Sequence, residues 1–159
     1  SFGLRLKKEN INKILEVAIA LHNAAEKQIG FCYPGKMEKE HIHGAILVER
    51  LAAEPNSAVV AVVSIPSESG AQPFLDRSPC GAGTCARVAS EYANDRISIK
   101  ENIMQRSLIG TEFKGMANES VIIKNRNGCI PQVTGRAHFT AFMNIVIDPN
   151  DKIQNGFIL

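Results

Sequence analysis

The chain has 159 residues, a formal net charge of +2, 45% hydrophobic residues and 21% charged residues. That length gives one domain with a sizeable core or two small lobes, with the composition of a soluble globular protein. The basic residues are scattered apart from Lys7-Lys8 and Lys36/Lys39, which leaves no case for nucleic acid, and no run is long and apolar enough for a membrane helix. The sequence opens without Met and without a signal-peptide pattern, so it reads as a fragment or a processed product.

Residues 1–9 read as a lead-in strand or loop. Asn10 is placed to cap a helix running to about Gln28, with Ile11, Ile14, Leu15, Ala18, Ile19, Leu21 or His22, and Ala25 along one stripe. His22 lies close to that apolar face and is expected to be a satisfied packing residue. Gly30 to Gly35 is a break, with Tyr33-Pro34-Gly35 as a turn. His41 to Leu51 reads as a strand with Ile42, Ala45, Leu47 and Leu51 inward, and Ala53 to Ser57 as a turn. Ala58 to Ile65 is a β-branched run, expected to be a central strand buried on both faces. Pro66 to Gln72 is a polar loop, after which Phe74 and Leu75 lead into a short, unusual stretch.

That stretch is Asp76-Arg77-Ser78-Pro79-Cys80-Gly81-Ala82-Gly83-Thr84. It follows an apolar strand-like run and precedes a helical pattern, so Cys80 sits where a helix begins. The first helical turn has N–H groups without intrahelical partners, and with the helix dipole they attract anions. The same field favours a thiolate, which makes Cys80 a candidate reactive cysteine. Gly81 and Gly83 leave space for an anion against the backbone. Pro79 fixes its own φ and biases Ser78 toward extended geometry. Asp76 is placed to hold a cationic group beside a bound carboxylate. A thiolate, free N–H donors and a carboxylate together suit an amino-acid ligand. The bland alternative is a cysteine that only packs, and a phosphate-binding turn lacks both G-x-x-x-x-G-K-[ST] and G-x-G-x-x-G.

The second helix is expected from about Gly83 to Asn94, with Cys85, Ala89 and Tyr92 or Ala93 on one face and small residues at Ala82, Cys85, Ala86 and Ala89 letting it sit close to a sheet. Asn94-Asp95 ends it. Ile97 to Ile109 reads as a short helix or irregular piece followed by a strand. Thr111 to Met116, Ser120 to Lys124 and Gly128 to Thr134 read as short strands, with Asn125-Arg126-Asn127-Gly128 as a hairpin turn. Arg136 to Ile147 alternates in part and reads as a long strand ended by Asp148-Pro149-Asn150-Asp151. Asn155 to Leu159 is an apolar tail that needs a surface to pack on. Two helices and seven to nine short strands make an α+β pattern.

The four cysteines, Cys32, Cys80, Cys85 and Cys129, have neither the look of a disulfide framework nor that of paired C-x-x-C knuckles. Free thiols in a reducing compartment, the cytoplasm, fit better. A zinc site assembled from Cys80, Cys85, His41 and His43 matches no common structural spacing, so no metal is assigned.

These residues resemble a family. The Asp76–Thr84 stretch is similar to the second-cysteine motif of the proline racemase family, which includes 4-hydroxyproline epimerases and 3-hydroxyproline dehydratases. Further similarity lies in Ser107-Leu108-Ile109-Gly110-Thr111-Glu112-Phe113-Lys114-Gly115, in Val133-Thr134-Gly135-Arg136-Ala137-His138-Phe139-Thr140, and in Asp148-Pro149-Asn150-Asp151 with Gly156-Phe157-Ile158-Leu159. The resemblance implies a diaminopimelate-epimerase-like fold of two α/β lobes, each wrapping strands around a central helix, with the site between them. Each lobe would supply one cysteine at a helix start. One thiol removes the α-proton of proline or hydroxyproline and the other protonates the opposite face, without pyridoxal phosphate or metal. It also implies that Cys80 is catalytic, that Gly81 and Ala82 donate N–H groups to the substrate carboxylate, that Asp76 binds its nitrogen, and that His41 in Glu40-His41-Ile42 binds substrate. Cys80 separates the chain from the dehydratases, which typically carry threonine there; the dehydratase is the nearest alternative, and a non-catalytic carboxylate-binding module lacking the other cysteine is the second.

Two features depart from the family pattern. Ala82 stands where threonine is usual, and the first-cysteine motif Met-Cys-Gly-His is absent. Residues 1–159 therefore read as the C-terminal, second-cysteine lobe, with about the last ten residues packing on a first lobe. The other thiol is expected from a complementary lobe or from a homodimer with Cys80 opposing Cys80.

Overall fold

The computed structural model describes residues 3–28, 41–67, 71–123 and 125–153. A single 3-10 turn, Lys8–Asn10, runs directly into helix α1, Ile11–Gln28. The amide of Asn10 donates to the Arg5 carbonyl at 2.8 Å and so fastens the lead-in segment to the helix start. The apolar stripe expected for α1 is present: Ile14, Ala18 and His22 are its buried residues, each four positions from the next.

Six strands form one sheet: β1 (Gly44–Leu51), β2 (Glu54–Ser64), β3 (Phe74–Leu75), β4 (Asn102–Ser107), β5 (Glu112–Ile123) and β6 (Arg126–Thr134). Their order is β1-β2-β4-β5-β6, with β3 also on β2. The β2–β4 pair is parallel and the others are antiparallel. A parallel pair needs a crossover, and helix α2, Gly81–Ala93, lies within it. The Cys80 turn is therefore part of the connection that lets β4 lie beside β2.

β2 is the central strand anticipated from its β-branched run. Successive residues alternate faces. Ala61 and Val63 join Leu6, Ile14 and Ala18 on the α1 face. Ala58, Val60 and Val62 form a second cluster, with Ile46 and Cys80 packed against it. A third cluster, Val88, Ile97, Ile103 and Ala117, fixes α2 on β4 and β5. Gly115 makes that approach possible: a Cβ there would lie 2.6 Å from Val88 Cγ2 and 2.9 Å from Thr84 Cγ2.

Several expectations are corrected. The β1–β2 turn occupies only residues 52–53, so the stretch from Glu54 to Ser57 is strand. The strands expected at Thr111–Met116 and Ser120–Lys124 are one strand, β5, interrupted by a bulge between Ala117 and Glu119. An extra residue bends a strand without ending it. Ile123 pairs with Arg126, so the hairpin turn falls earlier than Asn125–Gly128, and Asn125 takes the left-handed conformation with φ 62°. The buried face of α2 is Thr84, Arg87, Val88 and Glu91; Cys85 and Ala89 are half-buried, and Ala82 and Ala86 are exposed. Residues 135–148 form no strand, and Phe139 and Val146 are 90% exposed. Backbone at Arg136–Ile147 finds no strand edge among the described residues, and alternation alone does not make a strand. The Tyr33-Pro34-Gly35 turn, Cys32 and the tail from Asn155 to Leu159 lie outside the described residues. No helix of the described residues is long and apolar enough to cross a membrane.

Candidate active site

The site is built on the turn between β3 and α2. Asp76 N–H donates to the Val62 carbonyl at 2.8 Å, which extends the β3–β2 pairing by one bond. The Asp76 carboxylate then accepts from Ser78 N–H at 2.8 Å, and Ser78 Oγ accepts from Cys80 N–H at 3.0 Å. Short side chains hydrogen-bonding two residues ahead coil the chain tightly. Pro79 is fully buried beneath the turn.

Cys80 is the N-cap residue of α2, with φ 61° and ψ 128°. Such a backbone conformation in a non-glycine residue costs on the order of 1–3 kcal/mol and persists only where the surroundings fix it. Here they do. The Cys80 carbonyl accepts from Thr84 N–H at 2.9 Å and from Thr84 Oγ1 at 2.8 Å. Thr84 Oγ1 in turn accepts from Gln105 Nε2 at 2.8 Å, and the same Nε2 lies 3.4 Å from the Pro79 carbonyl. Thr84 and Gln105 are completely buried. From strand β4, Gln105 thus holds the Pro79 carbonyl directly and the Cys80 carbonyl through Thr84.

The result is a half-buried thiol at a helix start. Gly83 N–H points to Cys80 Sγ at 3.4 Å. A Cβ at Gly83 would come within 3.2 Å of Ile46 Cδ1 and touch Cys80 at ordinary contact distance, so a side chain there would crowd Ile46 beside the thiol. The N–H groups of Gly81 and Ala82, at the first two helical positions, take no partner among the described residues. The structure therefore brings Asp76, Cys80, Gly81 and Ala82 into one turn. Thiol, open N–H donors and carboxylate can together contact a zwitterionic amino acid.

His41 lies elsewhere. Its Nδ1 is 3.2 Å from Glu26 Oε1 and its Nε2 is 3.1 Å from the Ile65 carbonyl. His22, buried on α1, places Nε2 2.6 Å from the Ile42 carbonyl and is the satisfied packing residue expected. These contacts are on the α1 side of the sheet, whereas Cys80 packs on the opposite side. His22, Glu26 and His41 are close enough to hold a metal ion. Both Nε2 atoms, however, are engaged by backbone carbonyls, and Glu26 accepts from the Ile42 N–H and faces His41 Nδ1, so the groups already have protein partners. The residues form a hydrogen-bonded clamp between α1 and the ends of β1 and β2.

Cys85 and Cys129 sit together one turn along α2. Burial, and then the proximity of Cys85, raises the Cys129 thiol above its ordinary value. Cys80, Cys85 and Cys129 are all unpaired. Sequence reasoning missed Thr84 and Gln105. The available signals were a hydroxyl four residues after the cysteine and a glutamine at an inward position between Ile103 and Ser107.

An α+β lobe with a crossover helix capped by a thiol is the class of structure defined so far. The family model described as proline racemase matches residues 1–158. The proline racemase of Clostridioides difficile is 32% identical over 157 residues, covering 99% of this chain and 45% of that protein. A trans-3-hydroxy-L-proline dehydratase of Azospirillum brasilense is 27% identical, with 99% and 45% covered. A hydroxyproline epimerase from Agrobacterium vitis, solved with bound trans-4-hydroxy-L-proline, superposes with a TM-score of 0.77 at 22% identity, covering 99% of this chain and 43% of that one. The chain belongs to the proline racemase family. It spans about half the length of the curated relatives it matches, and it has the fold of one lobe.

Proposed function

We propose that this chain supplies one of two thiols in a cofactor-independent racemase or epimerase acting at the α-carbon of proline or hydroxyproline. The observation that carries this reading is Cys80: a half-buried sulfur at the start of α2, held in an unfavourable backbone conformation by a buried network, next to two unused N–H groups. In the proposed reaction one thiolate takes the α-proton, and the electron pair of the broken C–H bond moves into the carboxylate. Gly81 and Ala82 N–H groups stabilise the charge gathering there, as preorganised donors do for a developing oxyanion. A thiol on the other face returns a proton to the α-carbon with inverted configuration. Asp76 holds the substrate nitrogen. His41 enters as a positioning residue, since it ties the end of β2 to α1 where the loop toward Asp76 leaves. Ala82 in place of threonine removes a side chain but keeps the donor.

The second thiol belongs to a complementary first-cysteine lobe or to another copy of the chain. The racemase and epimerase reading is preferred to dehydration because a thiol, rather than a hydroxyl, occupies position 80. Unpaired Cys80, Cys85 and Cys129 are in keeping with a reducing compartment such as the cytoplasm.

The test is iodoacetamide labelling of Cys80 across pH, with and without proline or pyrrole-2-carboxylate, read by peptide mass. Labelling of Cys80 faster than Cys85 and Cys129, slowed at least several-fold by either ligand, is expected. Slow labelling that neither ligand changes would refute a catalytic thiol. Proton exchange at the α-carbon, followed in deuterated water with the complementary lobe present, then separates racemisation from loss of water.

A further inference from the structure

Among the described residues the outer edge of β1 is unpaired, and a groove runs along each side of it. The Ile65 N–H donates to the His43 carbonyl at 2.9 Å, so His43–Ile65 is a hydrogen-bonded pair. Bonded pairs recur every second residue in an antiparallel ladder. With the observed register, Ala45, Leu47 and Glu49 bond to β2, and the backbone groups of Ile46, Val48 and Arg50 face away from it. β1 ends the sheet, and no backbone group among the described residues takes them.

On the α1 side, a groove of about 690 Å³ is lined by Leu4, Leu6, Val17 and Leu21 together with β1. It is apolar apart from Arg5 and Glu49, which pair with each other at 3.0 Å. On the α2 side, a groove of about 410 Å³ is lined by Ile46, Val48, Ala86, Ser90 and charged groups. There Glu91 alone faces three guanidinium groups: Arg50, Arg96 at 2.8 Å and Arg87 at 3.7 Å. The Arg87 side chain is 4% exposed, and its Nε has no hydrogen-bond partner. Arg96 lies outside this groove, so within it one carboxylate stands against two guanidinium groups, Arg50 and Arg87, and leaves a net positive charge of one beside the open edge.

We infer that the edge of β1 receives an added strand whose side chains alternate, apolar toward α1 and acidic toward α2. A strand places successive side chains on opposite faces, so one extended segment fills both grooves at once. The pleat admits apolar side chains beside Leu4 and Leu21 and requires carboxylates beside Arg50 and Arg87. The occupant is an extended segment of the complementary half, since this chain spans 45% of the length of the racemase it matches. The inference is independent of the reaction assigned to Cys80.

The probe is the peptide acetyl-Val-Glu-Val-Glu-Val-Glu-Val-amide, added to the full chain and read by amide hydrogen exchange. Exchange at Ile46, Val48 and Arg50 is expected to slow at least tenfold, with Ala45, Leu47 and Glu49 already slow without peptide. The matching Val-Lys peptide is expected to give no protection. Arg50 is half-exposed, so Arg50→Glu keeps the fold while weakening the response to the Glu peptide and creating one to the Lys peptide. No protection by the Glu peptide, or equal protection by both peptides, overturns the inference. Concentration-dependent protection of those amides without any peptide overturns it in favour of a second copy at the edge.

Discussion

On the α1 face of the sheet, Leu6, Ile14, Ala18, Ala61 and Val63 meet in a dry seam, and the polar contacts lie at its end, where His22, Glu26 and His41 clamp backbone groups. The α2 face buries a different set. Thr84, Arg87, Glu91 and Gln105 lie among Val88, Ile103 and Ala117, and each is tied to a turn or to another charge, although Arg87 Nε and Gln105 Oε1 take no hydrogen-bond partner among the described residues. Apolar area stabilises a fold without regard to direction. A buried hydroxyl or amide is stable only in an arrangement that satisfies it, and that directional demand holds one conformation. The Cys80 turn lies on the face whose burial has direction.

The comparison breaks most simply at Ile14. It is fully buried in the apolar seam, and Ile14→Ala removes several buried carbons where the surrounding structure relaxes only in part. The expected loss is about 2–5 kcal/mol of unfolding free energy. Denaturant titration measures it. The folded variant should label Cys80 at the parent rate, because nothing that fixes the Cys80 turn is bonded to α1. A changed labelling rate would show that the two faces are not separable.

A smaller loss of stability with a larger effect on the site is expected for Thr84→Val. The substitution keeps the shape but removes the hydroxyl, leaving Gln105 Nε2 without its best partner and the Cys80 carbonyl with one donor fewer. The cost is about 1–3 kcal/mol, and Cys80 labelling should change several-fold. Thr84→Ser restores the hydroxyl and should restore the labelling rate. A loss of stability with unchanged Cys80 labelling would reduce Thr84 to packing alone.

The same contrast explains what was legible in the sequence. The stripe of α1 is an apolar periodicity and β2 is a continuous β-branched run, and both mark buried positions, Ile14 and Ala18 in the one, Val60 and Val63 in the other. The face of α2 misleads because Cys85 and Ala89 are only half-buried, while Arg87 and Glu91 are buried with Thr84 and Val88; their hydrogen bonds come from distant residues, Arg87 to the Met104 carbonyl and Glu91 from Arg50 and Arg96. The Cys80 turn was located from Ser78-Pro79, the glycines and the family resemblance. Its anchoring could not be, because Gln105 reaches it from β4, 26 residues beyond Pro79. The Arg136–Ile147 expectation failed for a related reason. Alternation states which side chains want cover, and a strand forms only where an edge is offered; among the described residues none meets that segment.

Cys80→Gly tests whether the strained backbone conformation belongs to function rather than stability. Glycine adopts a φ of 61° without Cβ crowding, so the variant should gain up to about 1 kcal/mol in unfolding free energy, even though the sulfur contact to Gly83 N–H is lost. Reactivity toward iodoacetamide at that position disappears. A variant markedly less stable than the parent would mean that the thiol is needed for packing, and the Cys80 conformation would then need no functional explanation.

The smallest expected effect separates buried from exposed versions of one chemistry. Arg106 on β4 bonds Glu54 at 3.0 Å and Glu112 at 2.7 Å, as Arg87, Arg50 and Arg96 surround Glu91, but Glu54 and Glu112 are open to water where Glu91 is buried. Arg106 beside it, with help from Ser57, holds the Glu54 carboxyl below its usual value of 4.5. A carboxyl depressed in the folded state adds stability above its unfolded value, and that stability is lost as pH falls through the folded value. Glu54→Gln should therefore lower Tm slightly at neutral pH, and the difference from the parent should vanish as pH drops below the ordinary carboxylate range. Exposed pairs contribute little because water and salt screen them, so added salt should shrink the neutral-pH difference too. A difference that survives both acid and salt would place Glu54 with Glu91, among the groups whose burial has direction.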